Sequence, residues 1–156
     1  MTINVTLKLN QTFDMNCPAK HAFEQLADVN NTATLLPKLD KAIELGDGKW
    51  RWEMEHIGSG GLSHQVKYTV KYTNNGSTCI QWNPVQGEGN NAQVSGEWAI
   101  QAKPGNTCSI TFSADHDFEL PFPRLMKGLA EGIVKTELEG QLRTFIERIK
   151  DKLVTA

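Results

Sequence analysis

Three histidines stand where side-chain chemistry is easiest to build. His56 and His64 flank the run Gly58-Ser59-Gly60-Gly61 symmetrically, and His116 lies well downstream. A neutral imidazole near its ordinary pKa of about 6.5 can hold a polar ligand head, relay a proton, abstract one α to a carbonyl, or bind a metal. Zinc is not expected. His116 falls on a distant strand, and no carboxylate or cysteine accompanies the His56–His64 pair on its face. The bland alternative is that all three cap strand ends and hydrogen-bond to backbone or water. Asp115 and Asp117 are paired by spacing, but alternation turns both away from His116, and His21 reads as solvated. Cys17, Cys79 and Cys108 form neither a C-x-x-C pair nor a zinc spacing, so they read as reduced, small apolar residues. No G-x-S-x-G elbow, P-loop or dinucleotide fingerprint is present, and no cofactor or metal is expected. Gly58–Gly61 and Gly87-Glu88-Gly89 lack the strand–loop–helix setting of a phosphate cradle and read as loops.

These residues must be positioned by the elements around them. Ile3, Val5, Leu7, Leu9, Gln11 and Phe13 alternate with polar residues, which predicts a long half-buried strand. Cys17-Pro18 punctuates the chain, with proline suited to a first helical position. Ala19, Ala22, Phe23, Leu26 and Ala27 then follow at helical spacing. A second short helix is expected over Asn31 to Leu36, stopped by Pro37. From Leu39 to Phe118, alternating runs are separated by Gly46-Asp47-Gly48, Gly58–Gly61, Asn74-Asn75-Gly76, Pro84 to Asn91, and Pro104-Gly105-Asn106. Asp-Gly, Asn-Gly and Pro-Gly are hairpin chemistry, so six strands in an antiparallel meander are expected, with the first strand joining at an edge. Beyond Pro123 the period changes. Leu125, Met126, Leu129, Ile133, Leu138, Leu142, Phe145, Ile149 and Leu153 predict one long amphipathic helix, locally weakened by Gly128, Gly132 and Gly140.

Strand parity sorts inward from outward side chains. Trp50, Trp52, Met54 and His56 share one face of the third strand; His64, Val66, Tyr68, Val70 and Tyr72 share one face of the fourth. Trp82 on the fifth, Trp98 on the sixth, and Phe112 and His116 on the seventh complete the set facing the helix. Every tryptophan and tyrosine falls on that face. Each pairs a large apolar body with one polar atom that wants a partner, so a ligand pocket is one outcome and a filled core the other.

Strand, two short helices, six meander strands and a long terminal helix resemble the START-like helix-grip superfamily of polyketide cyclases, lipid-transfer domains and birch-pollen allergens. Cys17-Pro18-Ala19, Leu35-Leu36-Pro37 and the terminal helix carry the resemblance. It implies an α+β fold with a curved seven-stranded antiparallel sheet wrapped around the C-terminal helix and a cavity between them. The cavity mouth would lie at the His56–His64 end, beside the Pro84–Asn91 loop and the start of the helix, bringing in Phe122, Met126, Leu129 and Ile133. The implied function is binding or carrying a hydrophobic or amphipathic small molecule. The alternatives are a cyclase/dehydratase using a cavity histidine as general acid or base, and an interaction module.

Composition limits the rest. A chain of 156 residues is expected to form one domain, residues 1–156. A net charge of -2 speaks against a nucleic-acid partner. With no signal-like opening and no apolar run of membrane-spanning length, the expectation is a cytoplasmic protein without integral membrane association. Basic residues of the last helix alternate with acids and read as a solvated face.

Overall fold

The alternation that opens the chain becomes β1 (Ile3–Met15), followed by two short helices, α1 (Ala19–Ala27) and α2 (Val29–Leu35). Six strands succeed them: β2 (Leu39–Gly46), β3 (Lys49–Met54), β4 (Lys67–Asn74), β5 (Cys79–Pro84), β6 (Ala92–Lys103) and β7 (Thr107–Leu120). A 3-10 turn (Arg124–Met126) leads into α3 (Lys127–Thr155). The computed structural model describes residues 3–56, 64–86 and 89–155. The Gly58–Gly61 run, Gly87 and Glu88 lie outside them.

The strands form one antiparallel sheet in the order β1-β7-β6-β5-β4-β3-β2, the α+β helix-grip arrangement. β1 pairs with β7 without interruption from Ile3↔Leu120 to Met15↔Cys108. The other edge strand, β2, slips register against β3 between Leu39 and Lys41 and again between Glu44 and Gly46. Turn chemistry explains the tight hairpins. Gly46, Asp47 and Gly48 all take positive φ between β2 and β3. Between β4 and β5, the Asn75 side-chain oxygen accepts from the backbone N–H groups of Ser77, Thr78 and Cys79.

The short helices start differently from their sequence reading. Pro18 is the N-cap of α1, not its first helical residue, and its carbonyl accepts the Ala22 N–H. α2 begins at Val29, before the expected Asn31, because the Asp28 carboxylate caps the Asn31 N–H at 3.3 Å. It ends where expected, since Leu36 is driven to extended backbone by Pro37.

The core lies between the concave face of the sheet and α3, which packs chiefly on β1. Ala130, Val134, Gln141, Phe145, Ile146, Ile149 and Leu153 are its buried stripe. Among the described residues no helix is long and apolar enough to cross a membrane.

Candidate functional site

Strand parity places large side chains at one level on neighbouring strands, and there the sheet holds a cluster of rings. Trp82 on β5 lies 5.8 Å from Tyr72, 5.8 Å from Phe112 and 6.4 Å from Trp98, measured between ring centroids. Trp98 meets Phe112 at 4.9 Å and reaches across to Phe145 of α3 at 6.0 Å. Gly96 makes this closeness possible. It stands opposite Trp82 in the β5–β6 register, and the indole lies where a Cβ would be.

The rings do not fill the space. Between sheet, α2 and α3 remains a cavity of about 130 Å³. Of the residues that alternation aimed inward, Trp52, Met54, Val66, Tyr68, Trp82, Trp98, Phe112 and His116 line it. The helices contribute Thr32 and Leu36 from the α2 end, and Leu138, Gln141, Leu142 and Phe145 from α3.

The remaining candidates lie elsewhere. His56 is exposed, opposite the half-buried His64 beyond the Met54–Val66 backbone bond. Phe122 is buried, but against the His64 ring at 6.3 Å and not on the cavity wall. Met126 and Ile133 are half-buried off the lining, and Leu129 is 55% exposed. The cause is helical phase. In the first turns of α3 the inward positions belong to Ala130 and Val134, small residues that a search for large apolar side chains passes over.

The two inner histidines have different surroundings. At His64, Nε2 lies 3.1 Å from Asn91 Nδ2. That amide is fixed, since Nδ2 also donates to the Gln65 carbonyl at 2.9 Å and Oδ1 accepts from the Lys67 N–H at 2.8 Å. Nε2 therefore accepts, which requires a neutral ring. Burial and the neighbouring His56 charge both hold the His64 pKa below its usual value. His116 is half-buried as a residue, and its Nδ1 is sealed from solvent without a hydrogen-bond partner. Burial drives its pKa down to about 4, against the opposing pull of the Leu7 backbone and the Asp115 charge. Burial likewise raises the Tyr68 and Tyr72 hydroxyls far above the ordinary tyrosine range.

Other expectations resolve simply. His21 is not solvated, as its Nε2 is buried and unpartnered. All three cysteines are free thiols; Cys17 and Cys108 are buried in hydrogen-bonding contact, and Cys79 Sγ donates to Glu97 at 3.2 Å. Among the described residues no three His, Cys, Asp or Glu side chains converge as a metal site. Gln141 escaped notice in the sequence. Its signal is a polar residue inside the apolar stripe Val134, Leu138, Phe145.

The family model for polyketide cyclase/dehydrase and lipid transport matches residues 6–150. The chain belongs to this family. Solved structures of the same START-like fold include the Zhui aromatase/cyclase from Streptomyces sp. R1128, with 17% identity, TM-score 0.68, and coverage of 95% of this chain and 93% of that one. A START superfamily protein from Mycobacterium smegmatis matches at 14% identity and TM-score 0.66, covering 95% and 97% of the two chains. A conserved protein from Geobacillus kaustophilus matches at 13% identity and TM-score 0.67, covering 96% of each. Such identities establish the fold and leave the chemistry to the site. No curated relative matches the chain.

Proposed function

We propose that this family member binds or carries a hydrophobic or amphipathic small molecule in the cavity between the sheet and α3. The observation that carries the reading is the cavity itself, whose wall is mostly aromatic and aliphatic with a few separated polar atoms. A filled core would have used those rings to close the space. The same reading places the protein in the cytoplasm, where its free thiols remain reduced.

A cyclase/dehydratase reading is supported by one feature, the neutral imidazole of His116 on the wall. Its basicity argues the other way. A general base works best with a pKa near the operating pH, and burial has pulled His116 down to about 4. Among the described residues that line the cavity none is a carboxylate, and the pull of Asp115 does not offset the burial. His116 suits hydrogen bonding better than proton abstraction.

The test is a panel of fatty acids, flavonoids and quinones added to the full chain, followed by tryptophan fluorescence and thermal unfolding. Trp52, Trp82 and Trp98 line the cavity, so a bound molecule should change their emission and raise the melting temperature in a saturable way. A panel that moves neither signal would sink the proposal.

A further inference from the structure

Charge is missing from the cavity wall. Among the described residues that line it there is no Asp, Glu, Lys or Arg. Residues 57–63 and 87–88, outside the described set, contain no lysine or arginine either. A carboxylate or phosphate entering here would leave water without finding a counter-ion, and such a charge is strongly disfavoured. His116 does not supply one, since burial keeps its ring neutral at physiological pH.

The polar groups on this wall differ in what they can still do. The Thr32 hydroxyl donates to the Val29 carbonyl at 3.2 Å. Gln141 Nε2 reaches Glu137 Oε1 at 3.4 Å, which leaves its amide oxygen as an acceptor. His116 is closed to a ligand, with Nδ1 sealed and the ring engaged by the Leu7 backbone. Trp52 sets its indole N–H beside the Tyr72 hydroxyl. The donors left over are the Tyr68 and Tyr72 O–H and the Trp82 and Trp98 N–H, none with an acceptor among the described residues. An indole N–H can only donate, so the balance of the wall lies with donors.

Tyr68 is the best placed of them. Among the described residues that are not exposed, the side-chain polar atoms both sealed and unpartnered are His21 Nε2 and His116 Nδ1. The Tyr68 hydroxyl is unpartnered in a half-buried residue and is not one of these, so it keeps open surface. Protein encloses it deeply enough to push its pKa far above the tyrosine range, with no neighbour offsetting the shift. Its open surface therefore belongs to the cavity that Tyr68 lines. A buried hydroxyl in that state calls for an acceptor.

Size narrows the class further. A cavity of about 130 Å³ is close to the roughly 150 Å³ apolar cavity known to take benzene. Trp82, Trp98, Phe112 and Phe145 present faces and edges against which one flat ring can pack.

We infer, building on the ligand-binding reading above, that the cavity selects an uncharged single-ring aromatic whose carbonyl oxygen accepts from the Tyr68 hydroxyl, and rejects the carboxylate of the same shape. The ring fills the void. The carbonyl brings acceptors to a wall of donors, and it adds neither a charge nor a donor that would itself need a partner.

The experiment is calorimetric titration of the full chain at neutral pH with acetophenone, its hydrocarbon isostere α-methylstyrene, benzoate and 2-acetonaphthone. Benzoate should bind at least about a hundredfold more weakly than acetophenone. Tyr68→Phe should weaken acetophenone about two- to tenfold, the range of one neutral hydrogen bond, and leave α-methylstyrene unchanged. Retained α-methylstyrene binding also shows that the variant folds. In the parent protein, the infrared carbonyl stretch of bound acetophenone should lie below its value in hexane. Benzoate binding as tightly as acetophenone, 2-acetonaphthone binding more tightly than acetophenone, an acetophenone affinity untouched by Tyr68→Phe, or a carbonyl stretch as in hexane would each overturn the inference. If all four probes fail while a member of the broader panel binds, this inference falls and the function stands. If both sets fail, the function falls with it.

Discussion

Gly96→Ala is the sharpest test of how the ring cluster is built. A Cβ at this position would sit 2.5 Å from Trp82 Cζ2, 2.7 Å from Cε2 and 2.5 Å from the Ser113 carbonyl oxygen. Carbon atoms at rest lie about 3.5–4.0 Å apart, so the overlap with the indole is roughly 1 Å. Neither neighbour yields easily. Ser113 O is backbone in the β6–β7 ladder, and Trp82 is hemmed in by Tyr72, Trp98 and Phe112. The added methyl must tilt the indole into the cavity or bend β6. Overpacking of this kind costs about 2–3 kcal/mol, which for a chain of this length lowers the melting temperature by about 5–12 °C. Urea unfolding followed by tryptophan fluorescence measures it, and the displaced indole should weaken ligand binding in parallel. Gly132→Ala is the matched control. Its Cβ meets nothing within 4 Å, so the same change in the exposed helix should stabilise the fold by about 0.5–1 kcal/mol. A Gly96→Ala protein as stable as the parent would refute the placement of Trp82 over Gly96.

Acidity and thiol chemistry offer further checks. Because burial holds His116 near pKa 4, the unfolded chain takes up a proton that the folded chain refuses; stability should fall as pH drops from about 6.5 towards 4, by up to about 3 kcal/mol. That contribution is fully present above the unfolded pKa, and His116→Gln should flatten the slope in urea titrations across this window; an unchanged slope would place the titrating group elsewhere. A thiol-specific aromatic disulfide reagent should modify Cys79 first in the native protein and reach Cys17 and Cys108 only on unfolding, since those two are buried and Cys79 is half-buried. Rapid native modification of all three would contradict their burial.

Much of this arrangement was legible in residue order because strands keep a strict period of two. Once Trp52, Tyr68, Trp82, Trp98 and Phe112 were set on one face, the curvature of a single sheet brought them together. The helix was less legible. Its inward stripe begins with Ala130 and Val134, so the larger Leu129 and Met126 drew the phase the wrong way. Thr32 and Leu36 reach the cavity through the packing of α2, which no local pattern announces. The environment of His116 was equally hidden: alternation gives its direction, but not the burial that lowers its pKa.

The two rims of the sheet face different hazards in concentrated solution. A free strand edge is a row of unpaired N–H and C=O groups that can recruit another chain. Uninterrupted β1 has α3 packed along it. Among the described residues β2 has no strand beyond it, and it carries Ile43 and Leu45 at 40% and 52% exposure, a combination that invites strand addition. Its two register slips break the even spacing that a recruited strand must match. The irregularity therefore acts as a guard against aggregation. Deleting the extra residue at either slip would straighten the edge and turn it into a template.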